Sequence, residues 1–316
     1  MADASRFFVL GSPPFVREGD TIGKVMWRVN LALLPALAWG IWSFGLDALR
    51  VTAACVAACV LVEAAVQRML RKPVTVSDGS AVVTGILLAF NLPPGIPTWM
   101  IVIGSVVAIA IAKQAFGGLG FNIFNPALIG RAFLMASYPV PMTSWRPYGA
   151  WDGITAATPL GIIREKLAIP LPSYADMFLG RIGGCIGETS ALLLLVGAIF
   201  LLVKGDITWH TPVSFLGSLA VMSRLSGRDP LFAVLAGGVI LGAFFMATDM
   251  VTVPLSGKGR IIFGTGCGLI TGVIRAWGGY PEGVCYAILL MNAFTPVIDR
   301  FTQPRRFGGT RKGSKQ

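Results

Sequence analysis

Apolar runs of membrane-spanning length, interrupted by Gly, Pro and Asn, constrain this chain more than any motif does. Hydrocarbon offers no water to pair backbone N–H and C=O groups, so a segment that crosses it must satisfy them internally. About 20 apolar residues do this as a helix. Hydrophobic residues make up 54% of the 316 positions and charged residues 13%. A soluble domain carries roughly 25% charge, so a large soluble protein with buried helices is excluded.

The runs divide into about ten segments of membrane type: 25–45, 48–66, 80–92, 97–115, 122–138, 183–203, 210–223, 230–248, 260–276 and 281–299. Several are too short or too broken to be plain spans. The third ends at Asn91-Leu92-Pro93-Pro94, and the fifth is interrupted at Asn125-Pro126. Unpaired backbone at membrane depth is tolerated where it faces protein or lines a cavity, and paired broken segments point to a central site. The stretch 124–131, ending Asn125-Pro126 to Arg131, is loosely echoed by 291–300, with Asn292, Pro296 and Arg300. Five spans per half would invert the second repeat. The expected fold is therefore an all-α integral membrane protein of two inverted five-helix repeats with broken helices. Residues 1–138 form the first half, 139–182 an extracytoplasmic connection, 183–300 the second half and 301–316 a basic cytoplasmic tail.

The net charge of +11 does not indicate nucleic acid. The basic residues lie in short loops and in the tail, a topology signal that also suits anionic lipid headgroups. Counting them puts both termini in the cytoplasm and the 139–182 connection on the outer face, although the Arg224/Arg228 loop runs against that bias. Residues 1–23 mix Asp3, Arg6, Arg17, Glu18 and Asp20 without the long apolar core of a cleaved signal. Trp27, Trp42, Trp99, Trp145, Trp151, Trp209 and Trp277 sit near segment ends, as an interfacial belt would.

Metal chemistry has little to stand on. Cys55 and Cys59 share a helix face and read as small buried residues, with an iron–sulfur site shared with a partner as the alternative. Cys185, Cys267 and Cys285 are scattered, no CxxC spacing occurs, and His210 stands alone. No nucleotide-binding glycine motif occurs either. Acids in apolar segments are costly and usually face a cavity or a partner. Glu63, Glu188, Asp249 and Glu282 are of this kind, and Glu188, Asp249 and Glu282 are candidates for an ion pathway. Helix-start and interfacial roles are the plain alternative, since Glu is favoured in a first helical turn.

The polar stretch Asp152-Gly153-Ile154-Thr155-Ala156-Ala157-Thr158-Pro159 stands out from this background. It resembles the D-x-x-(S/T)-x-A-T flavinylation motif of the RnfD/NqrB family of membrane flavoproteins. The resemblance covers nearly the whole chain. It includes the break Gly117-Gly118-Leu119-Gly120-Phe121-Asn122-Ile123-Phe124-Asn125-Pro126-Ala127, the start Asp78-Gly79-Ser80, Gly187-Glu188-Thr189-Ser190, Ala247-Thr248-Asp249 and Gly278-Gly279-Tyr280-Pro281-Glu282-Gly283. The wording of the Gly-Tyr-Pro-Glu-Gly and Ala-Ala-Thr-Pro-Leu stretches is closer to the RnfD branch.

The resemblance implies a subunit of the Rnf electron transport complex of a bacterial or archaeal inner membrane. That complex passes electrons between ferredoxin and NAD with coupled Na+ or H+ translocation. It implies FMN joined covalently to Thr158 by an FMN transferase, with Asp152, Thr155 and Ala157 as motif residues. The implied partners are a second FMN-carrying subunit and iron–sulfur subunits. It also raises a second, non-covalent flavin such as riboflavin, with Asn122 and Asn125 bonding the ring and Gly117 and Gly118 allowing close approach. Capping of a broken helix is the other reading of those asparagines. Arg131 would anchor a phosphate or pair with Asp152. An NqrB-like subunit of a Na+-translocating NADH:quinone oxidoreductase and a cofactor-free solute channel are the competing readings.

Overall fold

The computed structural model describes residues 21–146, 148, 157–188, 190–279 and 282–302. Among these, every regular element is helical. The motif residues Asp152 and Thr155, together with Trp151, Thr189, Tyr280 and Pro281, lie outside the described residues.

Local chemistry sets the helix ends. α1 (Ile22–Phe44) starts where Thr21 accepts from the Lys24 N–H, and it stops at Gly45, which has φ +66°. α2 (Leu46–Met69) returns. Asp78 Oδ1 accepts from the Ser80 backbone at 2.8 Å and opens α3 (Ser80–Phe90). α3 is only 11 residues long. It ends at Asn91, whose side chain donates to the Leu87 carbonyl before Pro93 and Pro94 forbid continuation. α4 (Thr98–Val106) passes into a π-helical segment, Val107–Gln114. The chain then reverses through Gly117 and Gly118, with φ of +128° and +105° that a β-carbon would strain. Asn125 caps α5 (Pro126–Ser137).

Three short helices punctuate the central connection: α6 (Pro139–Met142), α7 (Pro159–Glu165) and α8 (Tyr174–Leu179). α9 (Ala191–Lys204) follows the Ser190 cap, so the expected sixth segment begins later than residue 183. α10 (His210–Leu225) is regular. The expected eighth segment is divided: α11 (Pro230–Leu235) breaks at Gly237 and Gly238, both at positive φ. α12 (Val239–Leu241) then runs into π-helical Gly242–Met246. α13 (Gly257–Trp277) and α14 (Val284–Thr302) complete the chain.

Among the described residues, three helices, α1, α2 and α14, are long and apolar enough to cross a membrane, and shorter apolar helices cover Ser80–Phe90, Thr98–Gln114, Pro126–Ser137 and Ala191–Lys204. Small residues let helices approach closely, as they do in lipid. Gly264, Gly268 and Gly272 form a stripe along α13 against α10; a β-carbon at Gly268 would stand 2.4 Å from the Phe215 carbonyl oxygen. One core joins helices before and after the central connection, from Leu33, Phe90 and Leu128 to Phe215, Phe263 and Ile288.

Hydrogen bonds mark the two ends of the bundle. At one, Arg28 reaches Asp206 (3.1 Å), Lys72 the Gly117 carbonyl (3.1 Å) and Arg260 Thr208 (3.0 Å). At the other, Trp39 donates to the Gly180 carbonyl (3.1 Å), Arg50 to that of Ile96 (2.9 Å) and Arg228 to that of Arg275 (2.7 Å). Trp27, Trp42, Trp99, Trp209 and Trp277 are exposed, whereas Trp145 is buried.

Candidate functional site

Thr158 is held at the N-terminus of α7. Its Oγ1 accepts from the Gly161 backbone at 3.1 Å, and Pro159 follows at the first helical position, where the missing N–H costs nothing. No hydrogen bond runs from the Thr158 hydroxyl as donor to a described residue. The side chain is half-buried and opens on a cavity of about 530 Å³ at the second end of the bundle. Ala157, Arg131, Trp145, Arg164, Glu282 and Tyr286 share its walls.

Arg131 lies at the base of that cavity. One nitrogen, Nη1, donates to Asn91 Oδ1 at 2.5 Å and stands 3.5 Å from Glu188 Oε1; Nη2 pairs with Glu282. Glu282 and Glu188 are thus the carboxylate partners of Arg131 among the described residues. The guanidinium is buried, and burying a charge is tolerable only when it is paired. The contacts join α5 and the end of α3 to segments beyond the central connection. Cys185, Glu188 and Glu282 place ligand atoms within 4.8 Å of one another, but the Arg131 guanidinium already supplies the positive charge there. A narrow crevice lined by Thr158, Glu188, Gly237 and Glu282 connects Thr158 to this cluster.

Arg275 is not legible in the sequence as a site residue. It donates to the carbonyls of Ala233 (2.6 Å), Ala236 (2.9 Å), Gly237 (3.2 Å) and Glu282 (2.9 Å). It thereby ties the break between α11 and α12 to the segment carrying Glu282. Its one signal is an arginine inside the 260–276 apolar run. On the same end, the Tyr174 hydroxyl donates to Asp229, which lowers the Asp229 pKa and raises that of Tyr174.

The other sequence candidates gather toward the opposite end. Asn122, Asn125 and Asp249 line a cavity of about 80 Å³ with Ser80, Lys113 and Thr248. Ligand pockets usually hold about 300–1,000 Å³. Asn125 Oδ1 accepts from the Ala127 and Leu128 N–H groups and its Nδ2 donates to the Met246 carbonyl at 3.4 Å; Asn122 donates to that of Phe124 at 3.1 Å. Both asparagines therefore serve the helix break. Gly117 and Gly118 shape the turn and do not line the cavity, and Arg131 lies apart from this group, beside Thr158. Asp249 Oδ1 accepts from the Val251 N–H (3.5 Å) and Oδ2 from Thr252 (3.4 Å).

Lys113 is a residue that sequence reasoning missed. Its ammonium donates to both Glu63 oxygens at 2.8 Å and to Ser80 Oγ at 2.7 Å, and Gln114 adds a bond to Glu63 at 2.9 Å. Glu63 is legible as an acid in an apolar segment; the lysine in the neighbouring apolar run is the signal for its partner. Cys55 and Cys59 are buried in the core and form no disulfide.

The sequence model of the NQR2, RnfD, RnfE family matches residues 9–308. The D component of the proton-translocating ferredoxin:NAD(+) oxidoreductase complex of Clostridium ljungdahlii is 49% identical, over 98% of this chain and 100% of the relative. The D component of the Na(+)-translocating ferredoxin:NAD(+) oxidoreductase complex of Acetobacterium woodii is 51% identical, over 96% of each chain. The D component of an ion-translocating oxidoreductase complex of Stutzerimonas stutzeri is 40% identical, over 93% of this chain and 94% of the relative. With nearly its whole length matched in this way, the chain is a member of the NQR2, RnfD, RnfE family.

Proposed function

We propose that the chain is the RnfD-type membrane component of an ion-translocating ferredoxin:NAD+ oxidoreductase complex and carries FMN on Thr158 through a phosphoester. The observation that carries this is the Thr158 hydroxyl, bound only as an acceptor among the described residues and open to a cavity of about 530 Å³. The volume falls within the range of ligand pockets. Attachment is a phosphoryl transfer from a flavin pyrophosphate held by an FMN transferase. The Thr158 oxygen bonds to the flavin-side phosphorus, the pyrophosphate P–O bond breaks, a nucleotide monophosphate leaves, and the hydroxyl proton passes to the transferase. The bound flavin would carry electrons; the chain's own task is to hold it and set its potential.

The partners in this reading are the other Rnf subunits, including a second FMN carrier and iron–sulfur subunits. The architecture proposed is ten spans in two inverted five-helix halves, 1–138 and 183–300, with a basic cytoplasmic tail. In support, each half contains a short broken element, α3 in one and α11–α12 in the other, and Asn91 at the end of α3 donates to Met246 at the end of the π-helical segment after α12. Both termini are assigned to the cytoplasm of an inner membrane and Thr158 to the outer face. Asp249 is the pathway candidate at the opposite end. Relatives named for protons and for Na+ are 49% and 51% identical, so overall similarity does not select the ion. A second, non-covalent flavin at Asn122 and Asn125 would require the small cavity to widen.

The test is a denaturing gel of the chain co-expressed with its transferase, read by flavin fluorescence and peptide mass spectrometry. An FMN-sized mass on Thr158, lost in Thr158→Ala, is expected. A chain without adduct would overturn the reading and favour a solute pathway.

A further inference from the structure

We propose that the cavity beside Thr158 seats the isoalloxazine ring itself, with Arg131 as the fixed cation that tunes its potential; this rests on the covalent flavin proposed above. A flavin on Thr158 is tethered, so its ring must lodge within a short reach of that oxygen. The cavity that Thr158 opens into supplies what a flat, partly polar ring needs. Trp145 and Tyr286 contribute aromatic surface, Ala132 and Met135 contribute apolar wall, and Arg131 and Glu282 form a polar edge. Trp145 is 9% exposed although it lies in the connection, unlike the exposed tryptophans of the belt. A buried aromatic facing an open cavity suits a stacking surface.

Arg131 is placed to act on charge. Two-electron reduction puts negative charge on the pyrimidine edge of a flavin, and a preorganised cation at that edge favours the reduced form. The guanidinium cannot drift, because Asn91, Glu188 and Glu282 hold its two terminal nitrogens from three separate segments. Glu282 lines the same cavity and, with Glu188, opposes the positive charge of Arg131. Arg131 and Glu282 therefore set the potential in opposite directions.

The experiment is a spectroelectrochemical titration of the flavin-loaded, detergent-solubilised complex. Arg131→Gln should lower the midpoint potential, Arg131→Lys should keep most of it, and Glu282→Gln should raise it. A tenfold change in the reduction equilibrium corresponds to about 30 mV for a two-electron couple, and Arg131→Gln is expected to reach at least that. Opposite signs separate electrostatic tuning from general loosening, which would move both variants alike. Trp145→Phe supplies a measurement independent of the ion cluster: flavin emission should rise when the stacked indole is removed. Flavin present on Thr158 with unchanged potentials in these variants and unchanged emission in Trp145→Phe would overturn the seat. A wild-type chain without flavin on Thr158 would instead overturn the covalent attachment.

Discussion

Arg131 and Glu188 stand 3.5 Å apart on opposite sides of the chain's long central connection. With Asn91 and Glu282 they make a clasp between segments before and after that connection, beside Thr158. A guanidinium in such a place is committed: it has left water, and each carboxylate around it is part of what makes that tolerable.

Removing one carboxylate should therefore be costly. Breaking a buried ion pair from one side typically costs about 3–5 kcal/mol, because the remaining charge is stranded. Glu188→Ala leaves Arg131 paired with Glu282 and Asn91, so it is expected to lose less than that, about 1–3 kcal/mol, and thermal unfolding in detergent measures it. A variant as stable as the parent would mean that Arg131 finds enough support in Glu282 and Asn91.

The Lys113–Glu63 pair makes a similar claim at the other cavity, with side chains 2% and 1% exposed. Lys113→Met should strand Glu63 at a cost of about 3–5 kcal/mol. The double substitution Lys113→Met with Glu63→Leu should regain part of that, since apolar replacement of both partners removes the stranded charge. Chemical unfolding of the three forms compares them directly.

Two glycines test the helix packing. At Gly268 a β-carbon would meet the Phe215 carbonyl oxygen at 2.4 Å, whereas at Gly217 it would meet nothing within 4 Å. Gly268→Ala should destabilise by about 1–3 kcal/mol through overpacking. Gly217→Ala should be neutral or stabilise by about 0.5–1 kcal/mol, as alanine is the better helix former. Equal effects at the two positions would contradict the α10–α13 contact.

Asn125 provides a local check. Asn125→Ala removes the cap of α5 and should cost about 1 kcal/mol, while Asn125→Asp keeps an oxygen for the Ala127 and Leu128 N–H groups. Hydrogen exchange at the start of α5 should quicken in the first variant and not in the second.

Asp249 addresses the ion. If its carboxylate lies on the pathway, Asp249→Asn should raise the Na+ or proton activity needed for half-maximal turnover of the assembled complex while leaving the proposed flavin attachment at Thr158 unchanged. An unchanged ion dependence would take Asp249 off the pathway.

Much of this is legible in the chain because membrane burial writes itself into composition. The apolar runs, the breaks at Asn91-Leu92-Pro93-Pro94 and Asn125-Pro126, and the exposed tryptophans all follow from backbone pairing and interfacial chemistry. Thr158 stands out because a polar, small-residue stretch in such a chain needs a reason. Pairing at long range is what the sequence hides. Nothing local to Arg131 names Glu282, 151 residues away, and the shared polar region of Asn122 and Arg131 suggests one site where helix direction makes two. Arg275 escapes notice because its partners are backbone carbonyls, which leave no trace in side-chain patterns.

The clasp also carries a clock. Chains emerge during synthesis at about 5–20 residues per second, so Glu282 follows Arg131 by about 8–30 s. Until then one wall beneath Thr158 does not exist. The walls beside Thr158 are among the last parts of the protein to be finished, although the threonine is made near the middle, so the loading proposed for Thr158 would act on a nearly completed chain.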